Sequence, residues 1–192
     1  MANTNAPFGF TPVRRIDGAA WNDQLSTSLV ASNYSTAIFK GDVVNQLNTG
    51  YIAKTTPGTG VVFGIFWGCV YQSAVTGYPQ YSPYWPGSGA TSDVTAFLIT
   101  DPNVVFQVQA TLGPLTLADI GANLQFTAGT GNTATGLSTA SINDVGTPTT
   151  ATLPFRMVGV KAGVGPGTDT TSAYNIVEVV FNNQSYKQLA GL

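Results

Sequence analysis

The chain contains no histidine, one cysteine and nine carboxylates, and that inventory limits the chemistry its side chains can perform. Histidine is the commonest general base and metal ligand, so Ser-His-Asp and Cys-His arrangements are ruled out. Cys69 stands between Gly68 and Val70 in an apolar run, which reads as a small core residue rather than a nucleophile. Gly136-Leu-Ser-Thr-Ala140 lacks the final glycine of a nucleophile elbow. A glycosidase needs only two carboxylates at a fixed separation, so composition alone leaves that reaction open. However, Asp42, Asp93, Asp101, Asp119, Asp144 and Asp169 all lie within two positions of Gly, Pro, Ser or Thr. Aspartates in that setting commonly cap turns. Glu178, the sole glutamate, falls between Val177 and Val179 on the outward side of a strand pattern, a solvated or interfacial position. Gly129-Thr-Gly131 and Gly163-Val-Gly-Pro-Gly167 complete neither a dinucleotide fingerprint nor a phosphate loop. The expectation is a protein that is not an enzyme and uses no metal or cofactor.

Two clusters point to binding instead. Tyr78, Tyr81, Tyr84 and Trp85 are interleaved with Pro79, Pro83 and Pro86 in the stretch from Gly77 to Thr91. Tyrosine and tryptophan on a stiff loop offer large contact area at low entropic cost. They suit a subunit interface, a sugar-stacking platform, or a flap folded back over one end of the domain. The second cluster is the opening segment Met1 to Pro12, which has two prolines and no period of 2 or 3.6. Pro7 and Pro12 push their neighbours toward extended backbone. Residues 1–20 therefore read as an extended arm, with Phe8 and Phe10 as anchors and Arg14 and Arg15 available to carboxylates of a partner.

Charged residues make up 8% of the 192 residues, against about 25% in ordinary soluble domains. The content is 43% hydrophobic with a net charge of -2, which favours folding over disorder. So little surface charge suits a chain that covers much of its surface with partners. Nucleic acid is not expected among them, because only Arg14 and Arg15 of the seven basic residues are adjacent. No membrane span or secretory leader is expected either. The longest apolar run, Val61 to Tyr71, is about half the roughly 20 residues a spanning helix needs.

The elements that must position these clusters read as strands and turns. Gly41-Asp42 precedes a strand at Val43-Val44, and Asn48-Thr49-Gly50 separates it from Tyr51 to Lys54 as a hairpin. Further strands are expected at 94–99, 104–109, 155–160 and 173–182. Val104, Phe106 and Val108 share one face, opposite a wetter face of Val105, Gln107 and Gln109, and Val177, Val179 and Phe181 share another. Leu115 to Ile120 is the one helical turn expected. Gly77 to Thr91 and Gly129 to Thr150 exceed ordinary loop lengths, which suits binding loops. The fold class is all-β, a small barrel or sandwich with long loops. The N-terminal arm covers 1–20 and a single β-rich domain covers 21–192, with an elaboration after about 90.

Several phrases together resemble the head-decoration (cement) proteins of tailed bacteriophages. Ala6-Pro-Phe-Gly-Phe-Thr-Pro-Val-Arg14 resembles the start of structural proteins encoded beside the major capsid protein. Ile38-Phe-Lys-Gly-Asp-Val-Val44, Thr49-Gly-Tyr-Ile52 and Phe63-Gly-Ile-Phe-Trp-Gly68 are similar to the core of that family, as are Ala118 to Asn123 and Thr135 to Ser138. The resemblance implies a homotrimer on the outer surface of the capsid, made in the host cytoplasm, that clamps neighbouring major capsid subunits. On that reading the arm grasps the capsid, and deleting residues 2–17 is expected to leave folding intact while abolishing docking. A fibre or spike component and a carbohydrate-binding β module built on Tyr78, Tyr81, Tyr84 and Trp85 are the alternatives.

Overall fold

A computed structural model describes residues 2–58, 61–143, 150–161 and 163–187. The expectation of an all-β protein holds: two antiparallel sheets pack as a sandwich, and among the described residues the only helical pieces are single 3-10 turns at Leu117–Asp119 and Ser185–Lys187. The first of these turns lies within the helical stretch expected from sequence. Thr116 and Asp119 fix it by a reciprocal capping box.

The first sheet has five strands: β1 (Thr11–Arg15), β8 (Val104–Gln109), β13 (Ile176–Phe181), β12 (Phe155–Val160) and β9 (Asn123–Leu124), hydrogen-bonded in that order. The second contains, in order, β2 (Ser26–Val30), β7 (Val94–Ile99), β5 (Gly64–Gln72), β3 (Val43–Gln46) and β4 (Ile52–Lys54). A sixth strand, β6 (Pro79–Ser82), pairs with the later half of β5. A short ribbon of β10 (Phe126–Thr127) and β11 (Ser141–Ile142) stands apart.

Period-2 patterning divides the apolar residues between two cores. Val104, Phe106 and Val108 on β8 join Val177, Val179 and Phe181 on β13 in the core between the sheets, as their spacing predicts. Val43, Ile65 and Ile99 meet them from the second sheet. The residues of alternate parity on that sheet, among them Val44, Cys69, Ala96 and Leu98, form a second core with Trp85 and Ile38. The second sheet curls around this cluster, bringing its end strands β2 and β4 into contact. The Tyr51 hydroxyl donates to Asp93 at 2.7 Å, tying the start of β4 to the start of β7. That hydrogen bond holds the Asp93 carboxyl below its ordinary pKa and raises the Tyr51 phenol.

The wetter face expected on β8 is largely covered. Val105 and Gln109 are buried, and only Gln107 is half-exposed. Gln109 is enclosed because its amide accepts from the Ala6 N–H at 2.9 Å and donates to the carbonyls of Thr4 and Tyr174. A buried amide is tolerated only when its groups are paired in this way.

The opening segment is not a free arm. Residues 11–15 form an edge strand of the five-stranded sheet, with a register shift between Pro12 and Arg14. A bulge at a sheet edge is where Pro12, which has no N–H, fits. Before it, Gly9 donates to the Ala140 carbonyl and Phe10 to that of Gly41. This close approach needs glycine at 41, where φ is +93° and a Cβ would stand 3.1 Å from the Phe10 nitrogen.

Candidate functional site

The structure separates the sequence-derived site residues into buried and surface groups. Phe10 is fully buried, stacked on Phe155 with ring centroids 4.4 Å apart and edge-on to Phe106 and Phe126. It anchors its own core and is closed to a partner. Phe8 is half-buried. Arg14 is ion-paired with Glu178 at 2.7 Å, and Arg15 with Asp101 at 2.6 Å. The two arginines expected to reach a partner's carboxylates already hold carboxylates of their own chain. Glu178, expected to be solvated or interfacial, is largely covered by its pairing with Arg14.

The aromatic cluster also splits. Trp85 is completely buried, with its Nε1 donating to the Tyr34 carbonyl at 3.0 Å and its ring edge-on to Tyr71. Tyr84 is half-buried and stacks on Phe39 at 5.1 Å. These two fold back into the domain and are not surface anchors. Tyr78 and Tyr81 remain outside, 75% and 77% exposed, on the hairpin made by β5, β6 and the turn between them. Val75, at the tip of that turn, is exposed as well.

The two tyrosines do not form one platform. The ladder continues beyond β6, since the Ser73 N–H donates to the Tyr78 carbonyl at 3.0 Å. Tyr78 therefore lies opposite Ser73, while Tyr81 lies opposite Val70. Positions 78 and 81 differ in parity, so the rings fall on opposite faces of the hairpin. Stacking one sugar ring on both is excluded by that geometry. On the Tyr81 side, Gly68, Cys69, Ser82, Pro83 and Phe97 complete a shallow recess of about 250 Å³. A cavity of about 400 Å³ lies between Ala2–Thr4 and the 164–169 loop, with Asp169 the one charged residue among the described residues that line it.

Cys69 lies beneath the recess, buried, with its Sγ donating to the Tyr84 carbonyl at 3.5 Å. Burial pushes its thiol from the ordinary 9.0 up to about 12. A nucleophilic cysteine needs the opposite shift. Folded protein at mildly alkaline pH should resist iodoacetamide, and unfolded protein should be alkylated completely. The thiol is raised by folding, so its contribution to stability is full below the unfolded pKa near 9 and is lost as pH rises toward 12. The denaturation midpoint should fall across that window by more in the wild type than in Cys69→Ala.

Sequence reasoning under-read Asp42 as an ordinary turn cap. Its carboxylate is fully buried, 2.8 Å from the Lys54 ammonium. It also accepts from the Phe39 N–H at 2.9 Å and the Ser138 hydroxyl at 2.6 Å, and Lys54 donates on to the Gly129 carbonyl. This knot joins the turn before β3 to β4 and to the Gly- and Thr-rich stretch 129–143. Of the other aspartates, Asp101, Asp119 and Asp169 accept from backbone N–H groups two or three residues away, as turn chemistry requires. Asp144 lies outside the described residues. Among the described residues, no three of His, Cys, Asp and Glu are grouped as metal ligands.

Comparison with known proteins gives no family model, curated protein or solved structure that matches the chain.

Proposed function

We propose that this protein is a virion structural component of a tailed bacteriophage that docks on the outer surface of the assembled head and bridges major capsid subunits. The observation that carries the reading is where the family-like segments lie. Ile38–Val44, Thr49–Ile52 and Phe63–Gly68 run into the first residues of β3, β4 and β5, and β3 is hydrogen-bonded to both of the others. That three of the segments carrying the resemblance meet in one sheet supports this reading. The charge-poor composition and the exposed Tyr78 and Tyr81 suit a protein partner, because interface cores are depleted of charge and enriched in tyrosine.

The mode of docking differs from the grasping arm. With Phe10 in the core and Arg14 and Arg15 paired internally, contact falls to the folded surface. The test is co-sedimentation of purified protein with heads assembled without it. Saturable pelleting supports the proposal. Failure to pellet rejects it and brings forward a fibre or spike location, for which tail-containing particles are the next substrate. A carbohydrate module has no support from the arrangement of Tyr78 and Tyr81.

A further inference from the structure

We infer that Arg156 and Lys187 form a carboxylate-binding corner on the outer side of the five-stranded sheet, where an acidic side chain of a protein partner is held. Phe155 and Met157 face the core between the sheets, so alternation turns Arg156 outward. Asn123 stands opposite it on the edge strand β9. The Asn123 side chain is buried, and its Nδ2 donates to the Thr150 carbonyl at 3.1 Å, which fixes the direction of the amide. Its Oδ1 accepts from the Arg156 Nε at 3.0 Å. Among the described residues that is the one carboxamide or carboxylate on the guanidinium, and the Arg156 side chain is exposed beyond it. Lys187 is exposed as well, and its Nζ donates at 2.5 Å to the carbonyl of Phe181, the cross-strand partner of Phe155. Partial desolvation, and after it the Arg156 charge, hold the Lys187 ammonium below its ordinary pKa.

The other cations are already engaged. Arg14, Arg15 and Lys54 are ion-paired within the chain, and the Lys40 ammonium lies 3.9 Å from the centre of the Trp67 ring. Lys161 donates to the Pro166 carbonyl. Among the described residues, Arg156 and Lys187 alone combine two neighbouring positive charges with no carboxylate between or beside them.

Chemistry selects the occupant. Two like charges side by side repel, and an anion placed against both removes that repulsion. A guanidinium held at Nε keeps its terminal N–H groups as a fork that fits the two oxygens of a carboxylate, and the ammonium adds a point charge. Asn123 orients that fork in advance, so less freedom is lost on binding. A nucleic-acid backbone needs a run of cations, whereas only two meet here in a chain of net charge -2. Tyr186, 63% exposed and next to Lys187 in sequence, is of a type enriched in protein interfaces. The assignment rests on the docking reading and adds to it the point of contact: acidic groups on the shell surface are what the corner takes.

The test is pelleting of the full chain with heads assembled without it, for the wild type and for Arg156→Gln, Lys187→Gln and Lys161→Gln, each with its melting curve. Arg156→Gln should raise the half-saturating concentration by about tenfold or more, the scale of a lost charge-assisted hydrogen bond. Lys187→Gln should raise it by less, and both variants should melt as the wild type does. Added salt should weaken the wild type more than Arg156→Gln. Lys161→Gln removes the same charge five residues along the chain from Arg156 and should bind as the wild type does. If Arg156→Gln and Lys187→Gln both pellet like the wild type, or if Lys161→Gln loses as much as they do, the corner is overturned while docking stands. A wild type that fails to pellet rejects the docking reading itself, and the corner with it.

Discussion

Phe10→Ala is expected to destabilise the fold by about 3–5 kcal/mol, the range for deleting a buried phenylalanine from a packed core. The ring contacts aromatic side chains from three other strands: Phe106 on β8, Phe126 on β10 and Phe155 on β12. Its backbone is fixed by the hydrogen bonds of Gly9 to Ala140 and of Phe10 to Gly41, so the segment cannot move inward to fill the space. Chemical denaturation should show the midpoint falling with little change in slope. Deletion of residues 2–17 removes the same ring together with all of β1, and the truncated chain should fail to fold. A stable, cooperative truncation would restore the free-arm reading and refute the placement of Phe10. A Phe10→Ala loss below about 1 kcal/mol would do the same, since that is the scale of ordinary surface changes.

Asp42→Ala should cost a similar amount, about 3–5 kcal/mol, because it breaks a buried pair by removing one partner. Lys54 is left with a largely buried ammonium facing no carboxylate, and the Phe39 N–H and Ser138 hydroxyl each lose their acceptor. Adding Lys54→Met should recover part of the loss, since the uncompensated charge is then gone. A double variant less stable than Asp42→Ala would contradict this account. So would an Asp42→Ala protein as stable as the wild type.

Much of the sheet structure was legible in the sequence because regular alternation specifies both a strand and its buried face. Val104, Phe106 and Val108 carried that pattern, as did Val177, Val179 and Phe181, and all six lie in the core between the sheets. The turn at Gly41-Asp42 and the hairpin to Lys54 were legible from their turn residues. Of the strands that sequence reading missed, β2 and β9–β11 among them, two were masked by proline. Pro12 sits at an edge bulge in β1 and Pro79 turns its nitrogen to the free edge of β6, the positions where a sheet tolerates proline. Nothing local marked Phe10 as a core residue or Trp85 as an interior one. Their burial depends on partners far along the chain, Phe155 for the first and the Tyr34 carbonyl for the second. Arg14 was misjudged for the same reason, since Glu178 reaches it only once β1, β8 and β13 are assembled.

The measurement that bears most directly on the proposed role is a titration of the purified protein onto heads assembled without it, with bound protein quantified in the pellet. The account predicts a plateau at a fixed molar ratio to capsid subunits, reached with the N-terminal segment intact and folded. Bound protein that stays at background across the titration would contradict it.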